Sequence, residues 1–197
     1  MRGRLIAFEG LDQSGKQTQA EWLAGALVAA GHVVHTVSFP DYTTSIGAEI
    51  GKALQGQRTY GADVLQLLYI ANRYEHAPAI RGWLEDGAMV VADRYAASSL
   101  AYGDAQGLDL AWLTDAQRLL PPADLTFLLD IAPETSLARK RAARDKFERD
   151  LPLLSRVRAS YTRQAQASDW QFVDGTRPPE AVRDDILTAV RARLGLL

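Results

Sequence analysis

The chain has 197 residues, of which 47% are hydrophobic and 23% charged, enough to build one domain around a proper core. A net charge of -2 argues against general affinity for nucleic acid or an anionic membrane surface. With no cysteine, disulfides, thiolate chemistry and thiolate zinc sites are excluded, and the three histidines (His32, His35, His76) are scattered and read as structural or exposed.

In chain order, the N-terminus enters a strand without a signal peptide, and no apolar run approaches membrane-spanning length, so a cytoplasmic protein is expected. Leu5 to Phe8 reads as a strand buried on both faces. Gln17 to Ala30 reads as a helix with Trp22, Leu23, Leu27 and Val28 on one stripe, ended by Gly31. Val33 to Phe39 is a second strand, stopped by Pro40. Helices are expected over Ser45 to Leu54 and Val64 to Glu85, the latter interrupted or kinked at Pro78. Met89 to Ala92 is the third strand, with Asp93-Arg94-Tyr95 at its carboxyl end. Ala96 to Gln106 and Leu110 to Leu119 follow as helices, and Leu125 to Asp130 as the fourth strand. A helix begins at Pro133 to Arg139 and runs into a basic segment; another covers Leu153 to Gln166. Trp170 to Val173 is the fifth strand and Pro179 to Leu194 the closing helix. Strands alternating with helices predict an α/β doubly wound, five-stranded parallel sheet with helices on both faces, in a single domain over 1–197. Ligands of such sheets bind outside the carboxyl ends of the strands.

The run from Glu9 to Thr18, Glu-Gly-Leu-Asp-Gln-Ser-Gly-Lys-Gln-Thr, stands between the first strand and the first helix. Strand, glycine loop, Gly-Lys and helix is the context of a phosphate-binding P-loop. Gly10, Leu11, Asp12, Gln13, Ser14, Gly15, Lys16, Gln17 and Thr18 are therefore expected to hold a nucleotide polyphosphate. Lys16 adds a point charge toward the outer phosphates. One position departs from the pattern: where Ser or Thr would help hold magnesium stands Gln17, with Thr18 one later. Metal is then expected to be held through waters, phosphates and a carboxylate elsewhere. Arg94 suits bidentate grip of a phosphate, and Asp93 suits orienting magnesium-bound water or an arginine.

The P-loop, Asp93-Arg94-Tyr95, Phe39-Pro40 between them, and Ala71-Asn72-Arg73-Tyr74-Glu75 in the long helix together resemble the thymidylate kinase family, in order and over essentially the whole chain. The resemblance implies the doubly wound fold, a homodimer, and transfer of the ATP γ-phosphoryl to dTMP with Mg2+. It implies that Asp12 lies near the dTMP sugar and phosphate, that Phe39 lines the monophosphate site, and that Tyr69 stacks on thymine. It implies further that Arg73 meets the thymine carbonyl, Arg94 the acceptor phosphate and Ser99 the base, while Tyr102 crowds the place of a 2'-hydroxyl. The basic run from Arg139 to Asp150 resembles the family's lid over ATP (about 139–150). Arg139 resembles the arginine on adenine, and Glu148 the glutamate reaching the monophosphate site. Because the P-loop position that carries an arginine in one subclass is Gln13 here, the resemblance assigns the catalytic cations of the lid to Arg141 or Arg144. Val173-Asp174-Gly175-Thr176-Arg177 resembles the loop beneath adenine. The rival readings are a deoxynucleoside kinase, which would need a carboxylate base and more often carries Glu-Arg-Ser after the third strand, and a P-loop switch or ATPase module. A GTPase is excluded by the absence of Asn-Lys-x-Asp.

Overall fold

The computed structural model describes residues 2–139 and 150–197. Five strands, β1 (Leu5–Glu9), β2 (Val34–Ser38), β3 (Met89–Asp93), β4 (Leu125–Asp130) and β5 (Gln171–Asp174), form one sheet in the order β2-β3-β1-β4-β5. Every pairing is parallel. The helices are α1 (Lys16–Ala29), α2 (Ser45–Leu54), α3 (Ala62–Glu85), α4 (Ala96–Ala105), α5 (Leu110–Ala116), α6 (Pro133–Arg139), α7 (Leu151–Ala167) and α8 (Pro179–Leu194). Among the described residues no helix is long and apolar enough to cross a membrane.

The sheet is buried on both faces, and the period of two in its central strands divides the core. Ile6 and Phe8 point to the face covered by α1 and α8, where they meet Leu23, Leu27, Phe127, Val182 and Ile186. Leu5 and Ala7 point to the other face and pack with Ala77, Ile80 and Leu84 of α3. A third cluster joins Ala97, Ala101 and Ala105 of α4 to Leu153, Leu154, Val157 and Tyr161 of α7. The Phe8 and Phe127 rings stack with centroids 5.3 Å apart across β1 and β4. Each fully buried aliphatic side chain contributes roughly 1.5–3 kcal/mol, so these layers rather than helix propensity fix the element positions.

One stripe, one expected break and two helix ends differ from expectation for identifiable reasons. The buried positions of α1 are Lys16, Gln19, Ala20, Leu23 and Leu27; Val28 is exposed, and Trp22 is only half-buried beneath the Arg183 guanidinium. Helix α3 runs unbroken through Pro78, whose exposed ring puts the lost hydrogen bond on the solvent side. Helix α5 ends at Ala116 instead of Leu119, because Gln117, Arg118 and Leu120 bond three residues back and Pro121-Pro122 cannot continue it. Helix α7 starts at Leu151, where the Asp150 carboxylate accepts the Leu153 N–H at 2.9 Å and Pro152 occupies the first turn.

Candidate functional site

The carboxyl ends of β1, β3 and β4 converge. Register pairs Phe8 with Asp93 on one side and with Phe127 on the other, and the Arg94 N–H donates to the Phe8 carbonyl at 2.9 Å. The loop after β1 therefore lies beside the residue that follows β3, as expected at a switch point in a doubly wound sheet. Gly10 (φ 136) passes so close to β4 that a Cβ there would sit 2.3 Å from the Leu129 carbonyl oxygen. Gly15 (φ 98) starts α1 in the left-handed region, without a side-chain cap and without an acidic residue in the first turn. The amides opening α1 are thus left for an anion.

One cavity of about 340 Å³ is lined by Asp12, Gln13, Gly15, Lys16, Gln17, Thr18, Ser38, Phe39, Pro40, Tyr42, Asp93 and Arg94. A second, of about 470 Å³, lies on the far side of the P-loop between Ser14, Thr18, Arg139, Gly175, Thr176 and Arg177. Arg139 holds two loops together there, donating from Nη1 to the Gln13 carbonyl and from Nη2 to the Gly175 carbonyl, both at 3.0 Å.

The electrostatics of the first cavity are those of a cation pocket waiting for charge. Lys16 is 5% exposed and donates to the Leu11 carbonyl at 2.7 Å. Burial, then the nearby Arg94 charge, lowers its ammonium to about 8, against the pull of Asp12, Asp93 and Glu9. Arg94 (φ 64) donates from Nη2 to Asp12 Oδ1 at 2.7 Å, and its Cζ lies 5.6 Å from the Tyr102 ring centroid. Burial works against the Arg94 charge, yet Asp12, Tyr102 and Tyr161 more than offset it and raise its pKa well above the ordinary value. Asp93 Oδ1 is buried and makes no hydrogen bond among the described residues. Gln17 is exposed, and its amide donates to Glu21 Oε1 at 3.0 Å, along the helix.

Beyond Arg94 the expected acceptor residues form a connected wall. Phe39 is buried, with the Arg73 Cζ 5.9 Å from its ring centroid. Arg73 is 2% exposed and donates from Nη1 to Ser99 Oγ at 2.7 Å and to the Tyr69 carbonyl at 3.3 Å, while its Nε has no partner among the described residues. Asp12, Phe39, Arg73, Arg94, Ser99 and Tyr102 are thus brought together, with Tyr69 joined to them through its main-chain carbonyl one turn before Arg73. Arg141, Arg144 and Glu148 lie outside the described residues. The histidines are placed structurally: His35 stacks on Trp83 and His76 meets the Phe39 ring edge-on.

Sequence reasoning assigned no individual role to three residues. Glu9, fully buried at the end of β1, gathers donors from α4 and α7; a carboxylate closing an apolar strand was the available signal. Tyr161 supplies one of those donors from within the core cluster of Leu153, Leu154 and Val157, and no local sequence signal separates it from an ordinary core tyrosine. Asn72, with no exposed surface, accepts the Asp41 N–H at 2.8 Å and donates to Thr44 Oγ1 and Glu75 Oε2, tying the loop after β2 to α3.

Sheet order, glycine loop, buried lysine and strand-end arginine define an α/β protein of the P-loop kinase fold. A sequence model of the thymidylate kinase family matches residues 8–186. The chain is 39% identical to the thymidylate kinase of Thermomicrobium roseum, with 94% of this chain and 93% of that one covered. It is 33% identical to that of Danio rerio, with 94% and 88% covered. A solved thymidylate kinase from Candida albicans superposes with a TM-score of 0.82 at 28% identity, covering 97% of this chain and 92% of that one. The chain belongs to the thymidylate kinase family.

Proposed function

We propose that this chain is an ATP:dTMP phosphotransferase, moving the γ-phosphoryl group of ATP onto dTMP to give dTDP and ADP. The observation that carries the reading is that Lys16 of the P-loop and Arg94 of the third strand line one cavity. A donor polyphosphate on the loop and an acceptor phosphate on Arg94 would there meet end to end. ATP lies along Gly10 to Thr18, with its base toward the cavity of Arg139, Thr176 and Arg177. The monophosphate lies along Phe39, Tyr69, Arg73, Ser99 and Tyr102, with Asp12 beside the sugar and phosphate. Stacking of thymine on Tyr69 contributes on the order of 1–3 kcal/mol.

The acceptor phosphate is largely a dianion near neutral pH, so its oxygen attacks without a general base. What the protein supplies is alignment and cations where charge spreads over the transferred oxygens. Lys16 stabilises the donor side and Arg94 the acceptor side. By the resemblance, the lid role falls to the segment at about 139–150, of which 140–149 lie outside the described residues, with Arg141 or Arg144 assigned as its catalytic cation and Glu148 assigned to the monophosphate site. Closure keeps out water, the competing acceptor. Magnesium fits the donor set present: Asp93 offers a buried oxygen that has no partner among the described residues, while Gln17 turns its amide to Glu21. Asp93 would hold the ion through its water shell, and the ion would supply neutralisation of the phosphate oxygens. Among the described residues no group of three or more His, Cys, Asp or Glu side chains is placed to hold a metal ion. A homodimer in the cytoplasm completes the reading; Val64 and Leu67 leave apolar surface on the first turns of α3.

A coupled ADP-release assay with ATP and, separately, dTMP, dUMP, dCMP, dGMP and thymidine tests the assignment. Preference for dTMP, with thymidine inert, supports it. Turnover of thymidine instead, or hydrolysis of ATP with no acceptor dependence, overturns it.

A further inference from the structure

Arg94 is held from two sides, and only one of them belongs to the P-loop. Nη2 is fixed by Asp12, whereas Nη1 donates to two hydroxyls, Ser98 Oγ at 3.2 Å and Tyr161 Oη at 3.3 Å. Those hydroxyls stand 2.8 Å apart, and both reach Glu9 Oε2, Ser98 at 2.6 Å and Tyr161 at 3.0 Å. Glu9 Oε1 accepts the Tyr95 N–H at 2.8 Å and the Ser98 N–H at 3.2 Å. Arg94 Nη1 thus donates to both hydroxyls, and both hydroxyls lie within hydrogen-bond distance of the Glu9 carboxylate, while in the contact between the two hydroxyls either can donate. Glu9 acts as a counter-charge for Arg94 at one remove. Charge-assisted chains of this kind polarise each bond along them and fix side-chain orientation.

Tyr161 comes from α7, 67 residues beyond Arg94. It is 1% exposed, and its ring packs with Leu153, Leu154 and Val157 against the alanines of α4. Phenylalanine would serve that packing equally well. The hydroxyl is the part that packing does not require, and it lands on the arginine. Burial, and then Glu9, raise the phenol well above its ordinary value, so it remains a neutral donor.

We propose that Tyr161 is a positioning residue for phosphoryl transfer: with Ser98, anchored on the buried Glu9 carboxylate, its hydroxyl sets the angle at which the Arg94 guanidinium faces the acceptor phosphate. The proposal rests on the reading of Arg94 as the acceptor-phosphate group. Positioning errors of an ångström reduce rate steeply even where ground-state binding survives, so the cost belongs in kcat more than in KM.

The test uses the full chain with Tyr161→Phe, Arg94→Lys and the double variant, assayed with ATP and dTMP, together with thermal melts. Tyr161→Phe is expected to lower kcat about 10-fold, leaving KM for ATP within about two-fold, as loss of one orienting hydrogen bond would. Tyr161→Phe and Arg94→Lys are expected to be non-additive, the double variant losing clearly less than the product of the two. Ser98→Ala, which keeps the Tyr161 ring and hydroxyl, is expected to reproduce the kcat loss. Unchanged kcat in Tyr161→Phe alongside a large loss in Arg94→Lys overturns the proposal and leaves the role of Arg94 standing. Unchanged kcat in Arg94→Lys removes that role itself. A lower melting temperature with kcat and KM intact in the folded Tyr161→Phe protein makes the hydroxyl purely structural and also overturns the proposal.

Discussion

Arg94 and Asp12 are joined at 2.7 Å across the junction of β3 and the P-loop, so the strand-end cation is fastened to the glycine loop. The pair is partly open to solvent, the Asp12 side chain keeping 33% of its exposure, so it contributes more to geometry than to stability. Arg94→Ala is expected to lower kcat about 100-fold or more, the usual cost of removing one preorganised donor to developing charge. Its circular dichroism should match the parent. Steady-state kinetics with dTMP checks this, and a rate within two-fold of the parent removes Arg94 from the reaction.

Lys16 gives the account a pH signature. Its folded value of about 8 lies below the ordinary 10.5, so the charged form is disfavoured by folding, and an adjacent phosphate is expected to restore it. ATP binding should therefore take up a proton near and above pH 8, and affinity should fall as pH rises through that region. The same sign makes Lys16 a cost to the empty fold at neutral pH, where the unfolded chain would hold the proton freely. Lys16→Met should abolish turnover while leaving the melting temperature at pH 7 unchanged or higher. Calorimetry in two buffers of different ionisation enthalpy, at pH 7 and pH 9, reads the proton uptake directly.

The sequence was informative where backbone periodicity or a motif set the answer. Helices Ser45–Leu54 and Pro179–Leu194 and strand Leu125–Asp130 have the bounds their spacing implied, and Lys16, Asp93 and Arg94 fall in one cavity as strand-end positions should. It was silent where a contact joins distant segments. Nothing local shows that Tyr161 touches Arg94, or that Asn72 holds the loop at Asp41, because both depend on how α7 and α3 cross the sheet. The α1 stripe failed for another reason. Lys16 and Gln19 are buried for the sake of the loop and the Pro179 carbonyl, so a hydrophobicity pattern placed Val28 inside instead.

Asn72 is the most exacting buried polar group near the acceptor side. Asn72→Ala strips the Asp41 N–H of its acceptor and empties a site between Thr44 and Glu75. A loss of about 1–3 kcal/mol follows from leaving such a group unsatisfied. For a chain of this size that is a fall of several degrees in melting temperature. Differential scanning calorimetry checks it, and KM for dTMP should rise because the same loop follows Phe39-Pro40.

Gln17 makes a prediction about metal. Gln17→Ser places a hydroxyl where the P-loop pattern has one and frees Glu21 from its amide partner. The Mg2+ concentration that half-saturates the ATP complex should fall several-fold, since a hydroxyl is a better hard-cation ligand at that position. Titration of Mn2+ into the ATP complex, followed by electron paramagnetic resonance, measures this without turnover. Weaker binding in Gln17→Ser would assign Gln17 a part in holding the ion.

The central claim is that two nucleotides meet end to end between Lys16 and Arg94. Calorimetric titration with adenosine and thymidine joined through five phosphates measures that claim most directly. The account predicts binding far tighter than that of ATP or dTMP alone, weakened separately by Lys16→Ala and by Arg94→Ala. Affinity no better than that of ATP, or affinity indifferent to Arg94→Ala, would contradict it.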